Sequence, residues 1–293
     1  MGIKKQMSIP LRAVVLDNDE TTGSYLLVFG ILITLKHFGY KNNKQLQEIL
    51  IKLAKWMNLH HCFRPGLVQL LHTLVSLRRN KKIDAIVMYT NQKDGPTDND
   101  ILVDDLPPLL DSIPEAIAFM MNVMVGESVF DQILTRPNPA GPLVGGTWPK
   151  SFNRVLKLYP DKPKDIRDIV FVDDLAYPAY VLADGIPRCN VENTSWYPVP
   201  PYYRILTPDD ILNCLTYIFG PLNSIEPMIG PITTYVLMNQ PNIKNSVWNA
   251  SVFLNLTFDL QKKFGWAPKR LAHLNHFVPI QPEVINEDAK AKE

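Results

Sequence analysis

The sequence predicts an α/β fold, a Rossmann-like parallel sheet flanked by helices. Three short apolar runs each end in polar residues, as the buried strands of parallel sheets do. Segments with the period of an amphipathic helix lie between these runs, and strands that alternate with helices indicate parallel pairing through crossover helices. The 293-residue length, with 46% hydrophobic and 20% charged residues, allows a large buried core and excludes a disordered chain.

The predicted elements follow from these runs in chain order. The strands are predicted at Ala13–Leu16, Ile83–Tyr89 and Ile169–Val172. Eight segments have helical periodicity or helix-start signals, and they are Tyr25–Phe38, Lys44–Trp56, Gly66–Leu77, Pro114–Met124, a helix of roughly two to three turns that opens at Lys150, a helix capped at Thr207 that runs to Phe219, Gly230–Gln240 and Ser246–Phe264.

The 25 prolines divide the chain into regions of different character. We expect a discontinuous catalytic core over residues 1–91 and 149–204. Residues 92–148 are rich in proline and glycine with weak periodicity, which predicts an insertion that is a candidate cap over the site. Residues 205–282 are predicted to be a C-terminal helical extension, and the polar residues 283–293 a flexible tail.

The charge balance and the cysteines restrict the partners and the compartment. A formal net charge of +1 gives no overall field that would recruit nucleic acid or an anionic membrane. The apolar stretch Leu26–Leu35 ends at Lys36, whereas a membrane-spanning helix needs about 20 apolar residues. The first ten residues lack the apolar core of a signal peptide, and the three cysteines are few and far apart. We therefore expect an intracellular protein, cytoplasmic or nuclear, with reduced thiols and no membrane partner.

Polar and acidic residues follow all three predicted strands. Asp17-Asn18-Asp19-Glu20-Thr21 follows the first strand, Thr90-Asn91 the second, and Asp173-Asp174 the third. Because the carboxyl ends of parallel strands meet at one edge of a sheet, where ligands bind in such folds, we expect these side chains to converge. A turn with helix-capping carboxylates is the alternative for Asp17 and Asp19, and the order of the other residues favours chemistry.

These residue types suit phosphoryl transfer assisted by a metal ion. Asp17 and Asp19 can both face a ligand if the backbone turns sharply, so that one carboxylate attacks while the other handles a proton. Asp173 and Asp174 supply the hard oxygen ligands that Mg²⁺ prefers. Thr90 offers a hydroxyl, and Lys150 a positive charge, for the phosphoryl oxygens.

The same residues resemble the motifs of a known superfamily. Asp17-Asn18-Asp19-Glu20-Thr21 looks like the Asp-x-Asp-x-Thr signature of haloacid dehalogenase-like phosphatases, and Thr90, Lys150 and Asp173-Asp174 are similar to its later motifs in the right order. Phe63-Arg64-Pro65-Gly66-Leu67 resembles the branch that contains phosphatases of the RNA polymerase II carboxyl-terminal domain. The resemblance covers roughly residues 11–192, with the specific matches confined to the motifs.

The resemblance implies a role for each matched residue. Asp17 would be the nucleophile that forms an aspartyl-phosphate, and Asp19 the general acid and base, with its backbone carbonyl on Mg²⁺. Asp173 and Asp174 would complete the metal site. Thr90 would bind phosphoryl oxygens, and Lys150, or in its place Lys157 or Lys164, would stabilise the intermediate. We also expect Thr21, Asn91 and Arg64 to contact the substrate.

The expected activity is therefore that of a Mg²⁺-dependent phosphomonoester hydrolase, acting on a phosphorylated protein or a nucleotide. The chain departs from the polymerase-tail branch at Asn18 and at Asp174, where that branch usually has a hydrophobic residue and an asparagine. A phosphatase of nucleotides or polynucleotide ends, and a catalytically silent interaction protein of the same fold, are the alternatives.

Overall fold

The computed structural model describes residues 9–92, 107–136, 150, 152–163, 168–174, 196–241 and 251–265. Within these residues the strands are β1 Ala13–Leu16, β2 Ala85–Tyr89, β3 Gln132–Leu134, β4 Ile169–Asp173 and β5 Trp196–Pro198. They form one five-stranded sheet in the order β3-β2-β1-β4-β5, and every neighbouring pair is parallel. The predicted parallel α/β sheet is confirmed.

The three predicted strands are the centre of this sheet. β1 has the predicted bounds, β2 begins two residues after the predicted start, and β4 extends to Asp173. Leu16, the last residue of β1, lies opposite Met88 of β2 and Val172 of β4. The three strands therefore end at the same level, which brings the residues that follow them together.

Eight of the nine described helices correspond to predicted segments, with shifted ends, and the short helix Pro108–Asp111 was not predicted. Those described are α1 Leu26–His37, α2 Asn43–Leu59, α3 Leu67–Arg79, α4 Pro108–Asp111, α5 Ile113–Val125, α6 Phe152–Lys157, α7 Pro208–Phe219, α8 Glu226–Asn239 and α9 Ser251–Lys263. The predicted cap of α7 is present, because the Thr207 hydroxyl accepts the Asp210 N–H while the Asp210 carboxylate accepts the Thr207 N–H.

Helices cover both faces of the sheet. On β1, Val14 and Leu16 point into the larger apolar cluster, which includes α1, α2, α3 and α5, whereas Ala13 and Val15 point into a smaller cluster with α6. All four residues are buried, as expected for a parallel strand covered on both sides.

The described part of the predicted insertion belongs to the core layers. β3 pairs with β2, and α5 packs against α2 and α3, so residues 107–136 extend the sheet and its helical layer. β3 is thus an edge strand of the sheet, and the expected cap over the site stays a prediction. Residues 93–106 and 137–149 lie outside the described residues, as does the predicted tail 283–293.

The C-terminal helices also pack on the core. α8 lies against α1, α7 against α2, and α9 against α3. α1 and α8 lie close together at Gly30, where a Cβ would be 3.3 Å from Val236 Cγ2 of α8. The extension therefore covers the helical layer that flanks the site.

The structure also provides observations on possible membrane-spanning helices and on the cysteines. None of the described helices combines the length and apolar character that a bilayer crossing requires. Cys62 and Cys214 are buried free thiols, and Cys189 lies outside the described residues.

Candidate functional site

Three buried carboxylates meet at the carboxyl edge of the sheet. Asp17 follows β1, Asp173 ends β4 and Asp174 comes next, and one oxygen from each lies within 4.8 Å of the others. We call these residues the carboxylate trio. The predicted convergence of the first and last motifs is confirmed for these three side chains.

Lys150 is a cation that contacts the trio directly. Its Nζ donates to Asp17 Oδ1 and, at 2.6 Å, to Asp173 Oδ2. Burial lowers the pKa of Lys150, but the two carboxylates outweigh it and hold the net pKa above its usual value. Lys157 is exposed on α6, and Lys164 lies outside the described residues. Of the lysines considered from the sequence, Lys150 is the one placed against the predicted nucleophile.

Thr21 joins the two acidic motifs. Its Oγ1 accepts the Asp174 N–H at 2.8 Å and lies 3.0 Å from Asp17 Oδ2 and 2.9 Å from Asp174 Oδ1. A hydroxyl has one hydrogen, so it donates to one of these carboxylates at a time. Thr21 is fully buried, and its contacts orient the trio. The predicted contact of Thr21 with substrate stays a prediction.

The backbone turns sharply after β1, as the spacing of the two aspartates requires. The Thr22 N–H donates to the Asn18 carbonyl and the Glu20 N–H to the Gly23 carbonyl, both at 2.9 Å. Glu20 has a φ of 60°, which is rare for a residue with a side chain. At Gly23 a Cβ would lie 2.9 Å from the Cys62 carbonyl oxygen, so this position requires glycine. We call residues 18–23 the acidic turn.

Asp19 lies in this turn, and its carboxylate is outside the trio. Its carbonyl accepts the Thr21 N–H at 2.6 Å. Burial, followed by the charges of Glu20 and Asp17, raises the pKa of Asp19 to about 7. Such a carboxyl is present in both protonation states near neutral pH, which suits an acid and base. The backbone metal contact implied for Asp19 stays a prediction.

Like charges crowd together in the trio. Burial, followed by the charges of Asp17 and Asp173, raises the pKa of Asp174 to about 8. A carboxyl resists ionisation in this way when like charges crowd it in a site shielded from water. Closely placed carboxylate oxygens are the donors that hard divalent cations bind, so the residues present fit such an ion.

Thr90 and Asn91 follow β2 at the carboxyl edge of the sheet. Thr90 is buried, its N–H donates to the Leu134 carbonyl of β3 at 2.9 Å, and its hydroxyl accepts the Gln92 N–H at 3.2 Å. Asn91 follows and is half-buried. β3, which was not predicted, therefore holds Thr90 in place. The substrate contacts expected of Thr90 and Asn91 stay predictions.

Arg64 contacts the acidic turn through backbone atoms. Its Nε donates to the Thr21 carbonyl at 2.6 Å and its Nη2 to the Glu20 carbonyl at 2.8 Å. The expected substrate contact of Arg64 stays a prediction. Its observed hydrogen bonds hold the backbone of the acidic turn.

Sequence reasoning did not place Tyr203 at the site. Its hydroxyl donates to Glu20 Oε2 at 2.6 Å, across 183 residues of chain. Burial and the Glu20 carboxylate raise the pKa of Tyr203 well above its usual value, and Asp174 and Asp19 add to the shift. No spacing rule indicates this contact, because it depends on where the segment after β5 crosses the edge of the sheet.

Comparison with known proteins adds nothing to this geometry. No protein-family model, curated protein or solved structure matches the chain. The resemblance noted above therefore rests on the motif residues, and the chemistry has to be argued from the arrangement of the side chains themselves.

Proposed function

We propose that the protein is a Mg²⁺-dependent phosphomonoester hydrolase that works through an aspartyl-phosphate at Asp17, as haloacid dehalogenase-like phosphatases do. The observation that carries the proposal is the carboxylate trio at the carboxyl edge of the sheet, with Lys150 bound to two of its members. Closely placed buried carboxylates provide both a nucleophile and oxygen ligands for a cation.

The trio residues Asp17, Asp173 and Asp174 would hold the metal ion. The ion supplies positive charge that offsets the trio and the phosphate group of the substrate, so that a carboxylate can approach an anionic phosphorus. The donor set supports this assignment, because Mg²⁺ binds through a few carboxylates together with water and phosphate oxygens.

Contacts to both carboxylate oxygens of Asp17 orient it as the nucleophile. Lys150 donates to its Oδ1, and the Thr21 hydroxyl lies 3.0 Å from its Oδ2. Fixing a nucleophile in this way reduces the entropy lost on reaching the transition state. In the first step an Asp17 oxygen forms a bond to phosphorus while the bond from phosphorus to the ester oxygen breaks.

Asp19 handles the proton in both steps. In the first step it gives a proton to the departing ester oxygen. In the second it takes a proton from the water that attacks phosphorus, and inorganic phosphate leaves while the Asp17 carboxylate is restored. A pKa near 7 supports this exchange, because neither form of Asp19 is costly to reach at neutral pH.

Lys150 and Thr90 stabilise the charge of the transferred group. Lys150 is 4% exposed, so its charge acts with little screening by water. Thr90 uses its oxygen to accept the Gln92 N–H, which leaves the hydroxyl hydrogen to donate to a phosphoryl oxygen.

A substrate panel tests the proposal. Phosphopeptides, nucleotides, a polynucleotide 5′ phosphate, sugar phosphates and a small aryl phosphate are each incubated with the full chain, in Mg²⁺ or in chelator, and phosphate release is measured. We expect Mg²⁺-dependent release from at least one class. Asp17→Asn should lower the rate by roughly a thousandfold or more.

The matched control is Asp84→Asn, an aspartate at the opposite end of the sheet that takes no part in the proposed chemistry. It should release phosphate at the wild-type rate. Absence of hydrolysis across the whole panel, or equal rates in wild type and Asp17→Asn, would reject the proposed activity.

A further inference from the structure

Arg64 is a buried cation that bonds to carbonyls instead of a carboxylate. It is 2% exposed, and among the described residues no ion pair involves it. Its guanidinium donates to the Thr21, Glu20 and Pro200 carbonyls. These carbonyls belong to two separate segments, the acidic turn and the chain that follows β5.

Two aromatic rings cover the same guanidinium. Arg64 Cζ lies 5.2 Å from the centre of the Tyr202 ring and 5.3 Å from that of Phe253. Both distances fall in the range of cation–π attraction, which is strongest where water is excluded. Tyr202 follows β5 and also donates its N–H to the Glu20 carbonyl at 2.7 Å, and Phe253 is a fully buried residue of α9.

The guanidinium keeps its charge in this position. Burial lowers the pKa of Arg64 to about 10, with partial compensation by neighbouring groups, so it is protonated at neutral pH. A buried cation is costly unless hydrogen bonds and aromatic faces replace its water. The carbonyls therefore bind Arg64 strongly, and Arg64 in turn restrains their positions.

The restraint reaches the carboxylate trio through Thr21. The carbonyl of Thr21 accepts from Arg64, and the hydroxyl of the same residue contacts Asp17 and Asp174. A guanidinium has its donors in a rigid plane, so its bonds specify direction as well as distance. A lysine would retain the charge without that direction.

We propose that Arg64 is a positioning residue that fixes the acidic turn against the trio. α9 contributes to this positioning because Phe253 holds the Arg64 guanidinium. This inference rests on the proposed function and gives the C-terminal extension a role in it. Arg64 acts through Thr21, not through the substrate.

The kinetic test uses three variants with a small aryl phosphate. Arg64→Lys should lower kcat by roughly tenfold to a hundredfold with KM unchanged, because misplacing the nucleophile affects the transition state and not ground-state binding. Phe253→Leu should change kcat in the same direction by less. Phe258→Leu is the matched control, on the same helix but 65% exposed, and should match wild type. A raised KM with unchanged kcat in Arg64→Lys would instead make Arg64 a substrate ligand and overturn the inference.

Hydrogen exchange tests the restraint without any substrate. The amides of Glu20 and Thr22, which bond within the acidic turn, should exchange faster in Arg64→Lys and Phe253→Leu than in wild type. Amides of α2 should be unchanged. Equal acceleration in α2 and the turn, or no change in either, would overturn the inference.

The two readouts separate this inference from the proposed function. If wild type hydrolyses nothing, the activity is rejected, and the exchange of the turn alone decides whether Arg64 restrains it. If Arg64→Lys does not fold, Phe253→Leu, which leaves Arg64 in place, decides both the kinetic and the exchange result.

Discussion

Carboxylates and cations meet at both ends of the sheet, but among the described residues the ratio of carboxylates to cations differs between the two ends. At the amino end, Asp84 accepts the Arg12 N–H at 2.9 Å and pairs with the Arg12 guanidinium at 3.2 Å and with Lys162 at 3.4 Å. One carboxylate there meets two cations near the surface. At the carboxyl end, three buried carboxylates crowd together, and in the described part of the chain Lys150 pairs with two of them.

The pKa directions of the two ends record this difference. Partial burial raises the pKa of Asp84, but hydrogen bonds from Arg12 and the charges of Arg12 and Lys162 outweigh it, so the net pKa is lowered. At the other end burial and like charges raise the pKa of Asp174 to about 8. A partly exposed carboxylate paired with cations is stable in its charged form, whereas crowded buried carboxylates are costly and mark a candidate site for positive charge.

Removing the positive charge of Lys150 from the trio should give the largest change in stability. Lys150→Met leaves buried carboxylates without their partner, and in chelator it should lower the free energy of unfolding by roughly 3–5 kcal/mol. Urea denaturation measures this change. Lys157→Met, an exposed lysine of α6, is the control and should match wild type. Equal effects of the two substitutions would contradict the assignment of Lys150 to the trio.

Adding a divalent cation should stabilise the carboxyl end and not the amino end. Mg²⁺ at a hundredfold excess over its Kd should raise the free energy of unfolding by about 2.7 kcal/mol. Asp174→Asn removes a trio carboxylate and should abolish most of this gain, while Asp84→Asn should retain it. Thermal denaturation with and without Mg²⁺ measures the response. The same gain in both variants would place the ion elsewhere.

Neutralising the amino end should have the smallest effect. Asp84→Asn should lower the free energy of unfolding at pH 7 by about 1 kcal/mol, because the pair is partly exposed. The folded pKa of Asp84 is lowered, so its contribution is present above the unfolded pKa of about 3.9 and is lost as pH falls through the folded pKa. The two proteins should therefore converge in stability below roughly pH 4. A difference that grows on acidification would reverse this sign.

Local patterns were enough to predict the centre of the fold. β1, β2 and β4 are apolar runs followed by polar residues, and the register that aligns their ends places Asp17 beside Asp173 and Asp174. β3 and β5 escaped prediction because each has three residues, and Gln132 of β3 is exposed. Such edge strands form because a neighbouring strand offers hydrogen bonds, a property of the fold and not of their own sequence.

One helix begins before its predicted start. α8 begins at Glu226, whereas the sequence pattern predicts a start at Gly230, and the helix continues through Pro231. Pro231 lies inside the helix, where proline lacks the N–H that a helical residue donates, so a start at Gly230, which places Pro231 in the first turn, was the simpler prediction.

The contacts made by Arg64 and Tyr203 are of a kind that sequence motifs do not predict. Each side chain binds the acidic turn from a segment distant in sequence, 44 residues from Glu20 for Arg64 and 183 for Tyr203. Motif order points to the residues proposed to react, because their chemistry limits the residue types. The residues that hold the acidic turn are not restricted to particular residue types by chemistry. They can be found only from the folded structure, which brings them to the turn.

Beryllium fluoride offers the most direct measurement of the central claim, because BeF₃⁻ binds to an aspartate oxygen as a phosphoryl group would and requires no known substrate. We predict that BeF₃⁻ raises the thermal midpoint of wild type in Mg²⁺ but not in chelator, and that Asp17→Asn shows no response in either. A response independent of Mg²⁺, a response retained by Asp17→Asn, or none in wild type would contradict a cation-assisted aspartyl-phosphate at Asp17.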